Sequence, residues 1–174
     1  MKRELLIVDG YNIIGAWPHL VKLKNQDKLE DARDSLLHEL SNYQKYTGID
    51  IYVVFDAQFV PGIQQSYKKY QLLVIFTKEG ETADSYIERI VGKESTLLTQ
   101  VTVATSDLAE QWIIFQKGAL RKSANELFSD VKRIKKAIEA DAQQYRLQNY
   151  RRNSPWSHNQ IDRLEKLRDD LTKH

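Results

Sequence analysis

Residues 5–12 read Leu5-Leu6-Ile7-Val8-Asp9-Gly10-Tyr11-Asn12, and this stretch decides the fold. Four consecutive apolar residues place side chains on both faces of a strand, which suits a central strand of a parallel sheet covered on both sides. The run stops abruptly at an acid. The pattern returns at Ile51-Tyr52-Val53-Val54-Phe55, followed by Asp56, and at Leu72-Leu73-Val74-Ile75-Phe76. It returns once more at Val101-Thr102-Val103-Ala104, with Asp107 three residues on.

Helical periodicity fills the gaps. Leu29, Ala32, Leu36, Leu37, Leu40 and Tyr43 make one apolar face and predict a helix over 27–46, stopped by Thr47-Gly48. Pro61-Gly62 marks a turn. Ala83, Ile87, Ile90 and Val91 predict a helix over 82–93. Ser106-Asp107 opens another through Leu108, Ala109, Trp112, Ile113 and Phe115, with Gly118 as its terminator. A long basic helix follows over 123–150, broken at Asn153-Ser154-Pro155. A last helix over 158–172 carries Ile161, Leu164, Leu167 and Leu171 on one face. Strands alternating with helices define the α/β class with a central parallel sheet. The expected division is one domain over 1–152, including the basic helix, and a C-terminal helical extension over 153–174.

With 174 residues the chain has length for one such domain and a sizeable core. It contains no Cys, which excludes a disulfide framework, a thiolate zinc site and a cysteine nucleophile. No apolar run reaches the length of a membrane span, and the four residues before Asp9 are too short for a signal-peptide core. The expectation is a cytoplasmic protein with no membrane partner. The net charge of +2 conceals an asymmetry: residues 1–120 hold 13 Lys+Arg against 16 Asp+Glu, whereas residues 121–174 hold 13 against 8. A basic tail reads either as a solvated helix face or as a handle for a polyanion.

Parallel strands bring their carboxyl ends to one edge, where sites form near a topological switch point. Asp9, Asp56 and Asp107 therefore converge there in this reading. Asp84 opens the helix after the third strand. At 100° per residue it lies on the margin of the apolar stripe, with Glu88 one turn further on the same flank and Asp84 the more buried. Carboxylates gathered in a partly dry site repel one another, and a divalent cation relieves that repulsion. Oxygen-only ligands favour Mg²⁺ or Mn²⁺. Each acid also has a plainer reading. Asp107-Leu108-Ala109-Glu110 has the spacing of a capping box, Asp56 suits a turn, Glu88 a solvated helix face, and Asn12 a turn, a cap or an orienting group. No Gly-rich phosphate loop, Gly-x-Ser-x-Gly elbow or connected His cluster is present.

Ile7-Val8-Asp9-Gly10-Tyr11-Asn12, Val54-Phe55-Asp56-Ala57, Glu81-Thr82-Ala83-Asp84-Ser85-Tyr86-Ile87-Glu88 and Ala104-Thr105-Ser106-Asp107 follow one another in this order. Together with Gly118-Ala119 and Ser123-Ala124-Asn125-Glu126-Leu127, they resemble the YacP-like NYN family of PIN-like ribonucleases over about residues 4–130. The resemblance implies a three-layer α/β/α PIN-like fold. It implies a metal-dependent endoribonuclease, with some relatives acting on messenger RNA at the ribosome. Asp9 and Asp84 would be the principal metal-site acids and Asp107 would complete the cluster. Asn12 would join the catalytic group, and Asp56 and Glu88 would lie at the edge of the metal site.

An acidic site repels RNA, so affinity needs cations elsewhere. Candidates are Lys68 and Lys69 between Tyr67 and Tyr70, then Arg121 and Lys122, Lys132 and Arg133, Lys135 and Lys136, and Arg151 and Arg152 between Tyr150 and Trp156. Interleaved aromatics stack on unpaired bases while Lys and Arg meet phosphates. Two other classes stay open. An aspartate-based phosphatase suits strand-end acids, but Tyr11 occupies the second place of the usual Asp-x-Asp pair. A non-catalytic RNA- or ribosome-binding module suits the basic tail.

Overall fold

The computed structural model describes residues 2–57, 65–69, 71–153 and 158–172; the side chains of 65–69, Arg151, Asn153 and His158 lie outside the description. The expected turn at Pro61-Gly62 and break at Ser154-Pro155 also lie outside it. Six strands form one sheet: β1 (Arg3–Asp9), β2 (Asp50–Phe55), β3 (Gln65–Lys69), β4 (Leu72–Phe76), β5 (Thr99–Ala104) and β6 (Leu120–Lys122). Their order is β3-β4-β2-β1-β5-β6, parallel throughout except for β3, which runs antiparallel to β4. Between them run α1 (Gly10–Ile14), α2 (Pro18–Asn25), α3 (Leu29–Thr47), α4 (Ala83–Glu94) and α5 (Leu108–Gln116). Two further helices follow, α6 (Ala124–Asn153) and α7 (His158–Leu171).

The continuous apolar run of β1 is explained by the two layers it serves. Leu6 and Val8 enter a core shared with Ile13, Leu36, Leu40 and Leu127, on the side of α1, α3 and the start of α6. Leu5 and Ile7 enter the opposite core with Ile87 and Val91 of α4 and Ile114 of α5. The α/β class and its helix–sheet–helix layering are therefore as the sequence predicts.

Four elements were not evident in the sequence. Helices α1 and α2 fill 10–25, and Pro18 starts α2, where its missing N–H costs nothing. Strands β3 and β6 are the two edges of the sheet and lack apolar runs, as edges do.

The chain forms two compact units, residues 1–135 and 136–174, with the division inside α6. In the second unit, Ile161 of α7 is buried whereas Leu164, Leu167 and Leu171 are exposed.

Connections fix where a site belongs. From β1 the chain passes to β2 on one side, and from β4 through α4 it crosses to β5 on the other. The switch point thus lies between the carboxyl ends of β1 and β5.

Candidate functional site

Asp9 is the last residue of β1 and the N-cap of α1, its Oδ1 accepting from the backbone N–H of Asn12 at 3.4 Å. Gly10 immediately follows because a Cβ there would collide with the Phe55 ring of β2. Asp84 stands in the first turn of α4, which Thr82 caps by accepting from Ser85 N–H at 3.2 Å. Oxygens of Asp9, Asp84 and Glu110 lie within 4.8 Å of one another. Asp9 is 8% exposed and Glu110 6%, while Asp84 is exposed at the mouth. Of the α4 pair, Asp84 joins the acid group with its carboxyl partly buried, while the Glu88 side chain, one turn on, is 44% exposed.

Glu110 is the residue that sequence reasoning missed. Its position three after Asp107 has the spacing of a capping box, in which Glu returns a hydrogen bond to the N-cap N–H. Asp107 does cap α5, its Oδ1 accepting from Ala109 N–H at 2.9 Å and Glu110 N–H at 3.4 Å. The Asp107 N–H, however, donates to Thr105 Oγ1 at 3.2 Å. Glu110 is left free to turn inward, where its buried carboxyl oxygens meet no partner in good hydrogen-bond geometry, with the Thr105 side chain and the Asp84 carboxyl close by. A buried carboxylate without well-formed hydrogen bonds is costly, and such exceptions mark functional groups or an ion.

The electrostatics agree. Burial, reinforced by the charges of Asp84, Asp9 and Asp107 and partly offset by a hydrogen-bond contact with Thr105, pushes the Glu110 carboxyl up to about 8. Burial likewise pushes Asp9 up to about 6, opposed by the Asn12 N–H and reinforced by Asp84, Asp56 and Asp107. Asp84 is raised by partial burial, then by Asp107 and Asp56, against a partial offset from its hydrogen-bond contact with Glu110. Three carboxyls that resist ionising together are a group that could hold a divalent cation, and an all-oxygen donor set suits a hard one.

The remaining acids take other places. Asp107 is exposed and committed to the α5 cap, near enough for its charge to be felt by all three. Asp56 Oδ2 accepts from Ala83 N–H at 3.4 Å, tying the end of β2 to the start of α4. Glu88 pairs with Lys117 Nζ at 3.0 Å. Asn12 Oδ1 accepts from Ser106 N–H at 2.8 Å, joining the turn after β1 to the loop after β5.

Among the basic candidates, Lys122 pairs with Asp130 at 2.6 Å and Arg133 with the same carboxylate at 3.1 Å. Lys132 lies over the Phe128 ring, and Lys135 is exposed. Arg121 donates to Gln111 Oε1 at 2.6 Å. Lys136 and Arg152 are exposed residues of the second unit. Lys68 and Lys69 sit on the edge strand β3, and their side chains, like that of Arg151, are outside the described residues.

A parallel sheet between helical layers, with carboxylates meeting at its switch point, is the framework of a nuclease-like hydrolase of the NYN type. The chain belongs to the YacP-like NYN domain family, whose model matches residues 6–169. It is 50% identical over 136 residues to the uncharacterized protein YacP of Bacillus subtilis (strain 168), covering 78% of this chain and 79% of that one. The crystal structure of Rae1 (YacP) from Bacillus subtilis superposes with a TM-score of 0.74 at 44% identity, covering 97% of each chain. Its W164L mutant gives 0.73 at 46% identity, covering 82% of this chain and 83% of that chain. Family and fold support a nuclease-like, RNA-related function. Among the described residues, no helix is long and apolar enough to cross a membrane.

Proposed function

We propose that the protein is a metal-dependent endoribonuclease that hydrolyses RNA phosphodiester bonds in the cytoplasm, with messenger RNA on the ribosome as its substrate. The observation that carries this reading is Glu110, a buried carboxylate without a well-formed hydrogen bond, grouped with Asp9 and Asp84. These three residues would hold the ion, Mg²⁺ or Mn²⁺. A bound cation would supply an activated water and neutralise charge on the phosphate, and hydrolysis would then leave a 5′-phosphate and a 3′-hydroxyl.

The other residues act around that group. Asn12 fixes the turn carrying Asp9 against the loop leading to Glu110. Asp107 sets the start of α5, and Asp56 sets the start of α4. Arg121, Lys122, Lys132, Arg133, Lys135, Lys136, Arg151, Arg152, Lys68 and Lys69 supply the positive charge that an acidic site lacks.

The test is cleavage of a long single-stranded RNA by the full chain. Activity should stop in EDTA and return with Mg²⁺ or Mn²⁺. Asp9→Asn, Asp84→Asn and Glu110→Gln should each abolish it while retaining a cooperative thermal transition. Full cleavage in chelator, or wild-type rates in all three variants, would overturn the reading.

A further inference from the structure

Helix α5 presents Glu110 to the acid group, yet its opposite face is apolar and open. Relative to Glu110, Phe115, Leu108 and Trp112 lie at about 140°, 160° and 200° around the helix. Leu108 is 75% exposed, Trp112 67% and Phe115 65%. A helix with apolar residues on nearly all sides expects a cover on each of them. These three side chains, with Gln111 and Arg121, line a groove of about 440 Å³, within the roughly 300–1,000 Å³ typical of ligand sites. The Trp112 and Phe115 rings stand edge to face, 6.5 Å apart.

Arg121 decides what the groove accepts. Buried Gln111 donates through Nε2 to Thr105 O at 2.7 Å and accepts from Arg121 Nη1 at 2.6 Å, so the guanidinium is held in place from beneath. Lys117 and Lys122 are paired with Glu88 and Asp130 at 3.0 and 2.6 Å, whereas Arg121 forms no carboxylate ion pair among the described residues and is felt only at longer range by Glu126. An apolar polypeptide covering this face would strand the remaining guanidinium N–H groups, at a cost of several hydrogen bonds. A nucleotide offers a flat π face and an anion together. The groove also starts in the right place: Leu108 adjoins Asp107, whose charge reaches Asp9, Asp84 and Glu110. From there it follows α5 for about 10 Å.

We infer that this groove is a subsite for single-stranded RNA, in which an unpaired base stacks on the face of Trp112 with the Phe115 ring edge-on beside it, while the adjoining phosphate meets Arg121. The inference rests on the RNA-directed reading above and adds a substrate contact to it.

The test uses the full chain in EDTA, where cleavage is absent, and a labelled single-stranded oligoribonucleotide followed by anisotropy. Trp112→Ala should weaken binding by roughly fivefold or more, the scale of one lost base stack, and Phe115→Ala should weaken it less, whereas Trp112→Phe should bind nearly as wild type. In a Trp156→Phe background RNA should quench indole fluorescence, and adding Trp112→Phe should remove that quench, because Trp17, the one indole then left, is fully buried. Unchanged binding in both alanine variants overturns the subsite. So does unchanged binding with altered sedimentation, which would make the face a protein interface. Wild-type cleavage with Mn²⁺ is scored separately. Cleavage with Trp112-independent binding removes the subsite and leaves the nuclease; Trp112-dependent binding without cleavage removes the nuclease and leaves the subsite.

Discussion

Asn12 and Ser106, 94 residues apart in sequence, are joined by a hydrogen bond of 2.8 Å from the Ser106 N–H to Asn12 Oδ1. The bond spans the switch point, fastening the turn that begins at Asp9 to the loop that leads into α5. Ser106 Oγ accepts in turn from Ala124 N–H at 3.1 Å, so the start of α6 is held to the same loop. Asn12→Ala should cost about 1 kcal/mol of stability, the ordinary worth of one such bond. Its effect on Mn²⁺ affinity, measured by calorimetric titration, should be the larger one, because the Asp9–Glu110 separation depends on this tie. An unaltered metal isotherm would reduce Asn12 to a loop-stabilising residue.

Two glutamates at equivalent positions of successive helices give a matched experiment. Glu126 completes a capping box on α6: Ser123 N–H donates to its Oε2 at 2.6 Å, while Glu126 N–H donates to Ser123 Oγ at 3.1 Å. These Ser123 contacts hold its carboxyl below the usual range, whereas Glu110 is pushed up to about 8 by burial. Glu126→Gln should lower stability by at most about 1 kcal/mol and leave Mn²⁺ binding intact. Glu110→Gln should raise the thermal midpoint above neutral pH and abolish Mn²⁺ binding. Identical behaviour of the two variants would remove Glu110 from the site.

The raised carboxyls set the sign of a pH effect. Asp9 titrates near 3.8 unfolded and about 6 folded, and Glu110 near 4.5 and about 8. Between these limits the folded state binds more protons than the unfolded one, so this contribution to stability is complete below the unfolded values and declines as pH rises through the folded ones. In chelator, the thermal midpoint should therefore fall between about pH 4 and pH 8, and Glu110→Gln should flatten that decline above about pH 6, where Asp9 is already ionised in both states. Saturating Mn²⁺ should offset it, since an ion that binds only the folded state stabilises it. A midpoint that rises over this interval in chelator would contradict the assigned burial.

What the sequence disclosed and what it hid have separate physical origins. Leu5–Val8, Ile51–Phe55, Leu72–Phe76 and Val101–Ala104 were legible because a strand buried on both faces must be apolar at every position. The edges β3 and β6 were not, because a strand with an open side has no such requirement. Asp9 and Asp84 were legible as candidates from their placement after strands. Glu110 was hidden by its capping-box spacing, which is correct for the Asp107 half of the motif. Only Thr105, by satisfying the Asp107 N–H, frees Glu110 to turn toward the other acids. The same logic obscured the open face of α5: Trp112 and Phe115 fit a buried helix pattern, and only the folded chain leaves them exposed.

Gly10 tests how tightly the site depends on the β1–β2 contact. A methyl group at this position would fall on the Phe55 ring, which also packs against Tyr11 at 5.1 Å and Phe76 at 5.4 Å between ring centroids. The ring therefore has little freedom to yield. Gly10→Ala should destabilise by roughly 1–3 kcal/mol, the usual cost of overpacking. Because Asp9 is the preceding residue, Mn²⁺ affinity should fall as well. A variant as stable as wild type in urea titration would mean that the Phe55 ring moves aside at no cost.

The basic positions of α6 should supply affinity and not chemistry. Residues 121–152 hold nine Lys+Arg against four acids, but these charges are not equivalent. Arg133 shares Asp130 with Lys122, so part of its charge is already answered within the protein. Lys135 and Lys136 are exposed, and Lys132 is exposed while lying over the Phe128 ring. Phosphate contacts release counterions, so binding through these groups weakens as salt rises. Changing Lys132, Lys135 and Lys136 together to Gln should weaken RNA binding and flatten its salt dependence over about 50–300 mM, where screening acts on exposed charges. Adding Arg133→Gln should contribute less than any of the three, because it also releases Asp130. Mn²⁺ affinity should hold, since no α6 charge is among the groups that raise Asp9, Asp84 or Glu110. A salt slope identical to wild type in the triple variant would assign the polyanion contact to other residues and leave this stretch as a solvated helix face.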